Sequence, residues 1–193
     1  MFDIRGFCRS AFQSTNKLSV KAVTRSNLPY IWGLIAAFVW LYAYFLPMGD
    51  FSLKADLFEA IVGDRNFYFY TLLLSGSLIP LLFDGKRFVP ASFYSVILSL
   101  VCFIAVLFLG TGTPSKVIML IAVPCIGHIF ISHVYSFFMV LNNSEKFYSM
   151  ILVVLFPKIL MYIKPVLSNT QSIILILFIM LSLALSTYII KSH

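Results

Sequence analysis

The chain has 193 residues, of which 61% are hydrophobic and only 11% are charged. Soluble domains carry about 25% charged residues, so this composition excludes an ordinary soluble fold. The mean hydropathy of +0.98 indicates a protein whose solvent is the lipid bilayer.

The first 27 residues form a basic segment with a single acid, Asp3. Basic residues next to a first membrane span are typical of a cytoplasmic anchor at an anionic lipid surface, or of a site for a partner protein. The cluster is too sparse to favour nucleic acid. As a helix the segment would be amphipathic and interfacial; the alternative is a flexible tail. Its cations are Arg5, Arg9, Lys17, Lys21 and Arg25.

Six apolar segments follow, each about long enough to cross a hydrocarbon layer of ~30 Å. Helices satisfy every backbone polar group internally, so the sequence predicts an all-α, polytopic membrane protein. We expect about six transmembrane helices (four to six) in a single domain, 28–193. The predicted spans are 28–48, 67–83, 88–109, 117–141, 146–167 and 172–190.

The distribution of Lys and Arg predicts that both termini are cytoplasmic. In that orientation the inner segments hold nine cations: the five of the tail and Lys86, Arg87, Lys146 and Lys191. Of these, Lys86 and Arg87 are expected to join the tail in contacting the membrane surface or a partner. The outer segments hold four: Lys54, Arg65, Lys116 and Lys164. The acidic connection 49–66 is interpreted as a short surface helix or an ordered loop. If the fifth segment does not cross, the C-terminus lies outside.

The candidate functional residues within the predicted spans are Lys158, His128 and His133. A charged side chain in the bilayer is costly unless it reaches the interface or finds a partner. The two histidines, five residues apart, lie about 140° around a helix, which does not suit a metal pair. We interpret them as hydrogen-bonded interior residues; a role in pH sensing or proton transfer is the alternative.

The fourth and fifth predicted spans each contain a proline, Pro124 and Pro157, and are joined by a short turn. Proline interrupts helical hydrogen bonding, and broken helices can line binding sites. If the two spans pack together, Lys158 and the histidines reach similar depths and form a polar seam. This polar seam is a hypothesis that rests on the positions of these residues in the sequence.

Neither the cysteines nor the small residues indicate catalysis. Cys8, Cys102 and Cys125 lack a CxxC spacing and are interpreted as small, buried apolar residues. Ser75, Gly76 and Ser77 lack the GxSG pattern of an intramembrane protease, because Leu73 stands two residues before Ser75. Small residues at these positions favour close helix packing.

The sequence therefore favours a non-enzymatic accessory protein of a bacterial inner membrane. It would anchor or sense at the membrane and signal to a cytoplasmic partner, in anti-phage defence, entry exclusion or immunity. We expect a homo-oligomer with no cofactor, no metal and no direct nucleic-acid contact. The alternative is a transport module, as a substrate-binding subunit or a half-carrier. All seven acids lie outside the predicted spans, which disfavours an ion-coupled carrier.

Overall fold

The computed structural model describes residues 23–45, 74–76, 78, 85–109, 113–163 and 169–192. All regular structure in this part of the chain is helical, which confirms the expected all-α class there. The proposed tail helix, the outer connection 49–66 and most of the predicted span 67–83 lie outside the described residues. Residues 74–76 and 78 of that span are helical.

Five long helices account for most of the described chain. A 3-10 turn, Arg25–Asn27, leads into the first of them. The helices are α1 (Leu28–Phe45), α2 (Gly85–Leu109), α3 (Thr113–Met139), α4 (Asn143–Ile163) and α5 (Asn169–Ser192). Each corresponds to one predicted span, with ends that differ by up to four residues.

Three of the described helices are long and apolar enough to cross a membrane: α2 from Arg87, α3, and α5 from Ile173. The length and composition of these helices indicate a membrane protein. The number of six spans remains a prediction.

The helices continue through their prolines. Pro90, Pro124 and Pro157 all lie inside helical segments, so the expected interruptions of α3 and α4 do not divide either helix. Proline removes one backbone hydrogen bond, and packing against neighbouring helices can compensate within a membrane.

Helix α1 is the centre of the bundle. It packs against α3, α4 and α5, while α2 packs mainly against α3 and α5. Its residues are apolar on every side, and most of those from Ile31 to Leu41 are buried, as expected for a helix with several neighbours. Trp40 stacks edge-on against Phe103 of α2 at 5.5 Å, and Trp32 against Phe156 of α4 at 5.9 Å.

The starts of α1, α2 and α4 lie at the same end of the bundle as the ends of α3 and α5. Ser186 near the end of α5 donates a hydrogen bond to the carbonyl of Pro29 at 2.5 Å. The rings of Phe88 and Tyr135 join the start of α2 to the last turns of α3, with centroids 6.1 Å apart. We call this the basic end, because it carries Arg25, Arg87, Lys146 and Lys191.

Candidate functional site

A buried carboxylate at the basic end connects the segment before α1 to the turn between α3 and α4. Glu145 Oε2 accepts hydrogen bonds from the Asn142 backbone N–H at 2.9 Å and from the Asn27 amide at 2.8 Å. Glu145 Oε1 accepts one from the Thr24 backbone N–H at 2.9 Å. In return, Asn142 Oδ1 accepts from the Glu145 N–H at 2.9 Å.

The reciprocal pair formed by Asn142 and Glu145 is a capping box at the start of α4. The N-cap side chain bonds the third backbone N–H of the helix, and the third side chain bonds back to the N-cap N–H. Thr24 and Asn27 use the remaining capacity of the carboxylate. The Glu145 side chain therefore caps α4 and also holds residues 24–27, the end of the N-terminal segment, which we call its base.

Glu145 is held as a carboxylate. Its side chain is fully buried, and burial alone would raise its pKa. The hydrogen bonds from Asn142, Thr24 and Asn27 favour the ionised form more strongly, so the pKa of Glu145 lies below its usual value.

His128 joins α3 to the start of α2. Its Nε2 lies 3.0 Å from the Phe88 carbonyl oxygen, and its Nδ1 lies 2.8 Å from Ser95 Oγ. A carbonyl only accepts, so Nε2 carries the proton and Nδ1 accepts from the serine hydroxyl. Both ring nitrogens are thus used in helix–helix contacts, which fits the interior role expected of this residue.

His133 occupies a tighter position between α3, α1 and α5. Its Nδ1 donates to the Ile129 carbonyl at 2.7 Å, which leaves Nε2 as an acceptor. Among the described residues, Nε2 has no hydrogen-bond partner. It faces Gly33, where an added Cβ would lie 2.7 Å from Nε2 and 2.8 Å from Ser186 Oγ. The imidazole thus packs on a glycine that leaves room for it.

Lys158 is exposed, whereas His128 and His133 are buried. Helix α4 packs chiefly against α1 and makes few contacts with α3. The structure therefore does not bring the three residues together, and the polar seam expected between the fourth and fifth spans is not formed by them. The physical reason is that α1 takes the inner face of α4.

Part of the predicted basic surface lies within the described chain. Arg25 and Arg87 are exposed, and Lys86 is the second residue of α2. Lys191 donates to the Tyr94 hydroxyl at 2.7 Å and lies 4.2 Å from the centroid of that ring. The predicted surface residues Arg5, Arg9, Lys17 and Lys21 lie outside the described residues.

Small and sulfur-containing residues serve packing in the described chain. Cys102 and Cys125 are buried and form no disulfide, whereas Cys8 lies outside the described residues. A Cβ added to Gly76 would meet the backbone of Gly127 in α3, so the backbones of these two segments approach closely there. Among the residues described, no group of three or more His, Cys, Asp or Glu side chains could hold a metal.

Glu145 is the polar residue that reasoning from the sequence missed. The spacing Asn142-x-x-Glu145 before an apolar run resembles the spacing of a capping box and could have indicated it. Its bonds to Thr24 and Asn27 cross more than 100 residues of sequence, and no local pattern predicts them.

Comparison with known proteins gives no family: no family model, curated protein or solved structure matches the chain. The function is therefore argued from the geometry of these residues.

Proposed function

We propose that this chain is a non-enzymatic, multi-pass accessory protein of a bacterial inner membrane. It anchors or senses at the membrane and signals to a cytoplasmic partner protein through its basic N-terminal segment. Its small size and strongly hydrophobic composition suit a role in anti-phage defence, entry exclusion or immunity. Assembly as a homo-oligomer belongs to the same proposal.

The observation that carries this proposal is the bonding of Glu145 to Thr24 and Asn27. The base of the N-terminal segment is tied to the same side chain that caps α4. A shift of α4 within the membrane would therefore move the base of the segment. Such coupling is what a membrane sensor with a cytoplasmic output requires.

The end of the bundle at which the helices begin supports a six-span arrangement. Helices α1 and α2 both begin at the basic end, so the proposal requires the chain between them to cross back. The helical residues 74–76 and the contact of Gly76 with Gly127 suit a span at 67–83. The transport alternative loses support because Lys158 is exposed on α4 and does not line an internal path.

The test is purification in mild detergent from the native host, with mass spectrometry of what co-purifies. One variant neutralises Arg5, Arg9, Lys17 and Lys21 by replacement with Gln. We expect the native protein to retain a soluble partner in stoichiometric amount and this variant to lose it, because the cations form the contact surface.

The matched control neutralises the four predicted outer cations in the same way and should retain the partner. These are Lys54, Arg65, Lys116 and Lys164. A native protein that purifies as a clean homo-oligomer without a partner would contradict the proposed function.

A further inference from the structure

Helix α4 carries a charged side chain on the face directed away from the bundle. Val153 of α4 is buried in the cluster that it forms with α1, whereas Lys158 is exposed. Five residues separate them, so Lys158 lies about 140° around the helix from Val153. The lysine therefore lies on the side of α4 opposite its contact with α1.

The surroundings of Lys158 are apolar. Its exposed neighbours on this side are Ile151, Val154, Leu155 and Tyr162; together with Lys158 we call them the α4 outer face. Across the described ranges, no hydrogen bond or ion pair involves Lys158. Within the predicted span 146–167, the lysine lies about 13 Å or more from either end. In an α4 that spans the membrane, as the sequence predicts, a charge left facing lipid at that depth is costly.

We propose that the α4 outer face docks a transmembrane helix of another membrane protein that carries an Asp or Glu at mid-span. The carboxylate would pair with Lys158, so that neither charge faces lipid. The flanking apolar side chains would pack against the incoming helix. This intramembrane contact is separate from the cytoplasmic contact of the proposed function.

Charge complementarity favours a different protein over a second copy of this chain. A two-fold contact between two α4 outer faces would place Lys158 near Lys158. No acid of the chain lies within a predicted span to offset these charges. The acids are Asp3, Asp50, Asp56, Glu59, Asp64, Asp84 and Glu145.

The probe is a synthetic Leu/Ala-rich single-span peptide with one central Asp, and its matched control carries Leu at that position. The labelled full-length protein and each peptide are reconstituted in phosphatidylcholine vesicles, and association is measured by energy transfer. We expect the Asp peptide to bind about five- to thirtyfold more tightly than the Leu peptide, the range of an interhelical polar contact.

Two substitutions at the docking position should remove this preference: Lys158→Leu, and Lys158→Met, which keeps an unbranched side chain. Lys191→Leu is the matched control and should keep it, because Lys191 lies in the last turn of α5 and bonds Tyr94. A Lys158→Asp variant should instead prefer a peptide with a central Lys.

The proposal is overturned if the native protein binds the Asp and Leu peptides equally, which would mean that Lys158 reaches the interface unaided. It is also overturned if a cysteine placed at Val154 cross-links two copies of the chain in the absence of peptide. Neither result depends on the basic segment, so the proposed function stands or falls separately.

Discussion

At the scale of single residues, the polar groups inside this apolar chain have unequal roles. His128 uses both ring nitrogens to join α2 and α3. Glu145 joins parts of the chain that are distant in sequence, because its carboxylate oxygens accept hydrogen bonds from Thr24, Asn27 and Asn142. Because buried polar groups are costly when unpaired, the contacts of Glu145 fix a single arrangement of the basic end.

Replacing Glu145 with Gln should destabilise the protein by about 2 kcal/mol. The amide has one oxygen left to accept bonds, so its NH₂ group would oppose either the Thr24 N–H or the donors of Asn142 and Asn27. The measurement is thermal unfolding of both proteins in detergent, as a function of pH.

The pH dependence follows from the lowered pKa of Glu145. The carboxylate stabilises the fold fully above its unfolded pKa, near the ordinary value of 4.5, and this stabilisation is lost as the pH falls through the lower folded pKa. The difference between native and variant should therefore be constant from about pH 6 to 8 and shrink below about 4.5. A difference that stays constant down to pH 3 would refute the role assigned to the carboxylate.

At the scale of helices, position within the bundle decides what each helix presents. Most residues of α1 from Ile31 to Leu41 are buried, whereas α4 contacts the rest of the described bundle mainly through α1. The outer face of α4 is left for lipid or for another helix. Close packing also explains why glycine stands at positions 33 and 76, since only small residues let neighbouring groups approach the backbone closely.

Gly76 provides a test of close packing. Changing it to Ala would place a methyl group against the backbone of Gly127, which cannot move aside as a flexible side chain can. We expect a loss of about 1–3 kcal/mol or more, seen as a lower unfolding temperature in detergent.

The exposed Leu74 in the same helical stretch supplies the control. Leu74→Ala should change the unfolding temperature little. Equal effects of the two substitutions would indicate that the contact of Gly76 with α3 is not specific.

At the scale of the whole molecule, hydropathy predicted the helices but not their neighbours. The apolar segments at 28–48, 88–109, 117–141, 146–167 and 172–190 all contain long helices, because length and composition determine helix formation in a bilayer. The pairing of α4 with α1 instead of α3 was not predictable, since short connections do not specify which faces pack. For the same reason the expected proximity of Lys158 to the histidines of α3 is not found.

The most direct test of the account is the membrane topology of the full chain. The native cysteines Cys8, Cys102 and Cys125 are replaced by Ser, and single cysteines are introduced at six positions. Intact cells are treated with a membrane-impermeant maleimide, before and after permeabilisation. The outer positions are Lys54, Lys116 and Ser168, and the inner positions are Lys86, Asn143 and Ser192.

We expect the three outer positions to react in intact cells and the three inner positions to react only after permeabilisation. That result would place the basic end, with the Glu145 contacts, in the cytoplasm. Reaction at Lys86 or Asn143 in intact cells would contradict the account, because the basic end would then face away from the proposed partner.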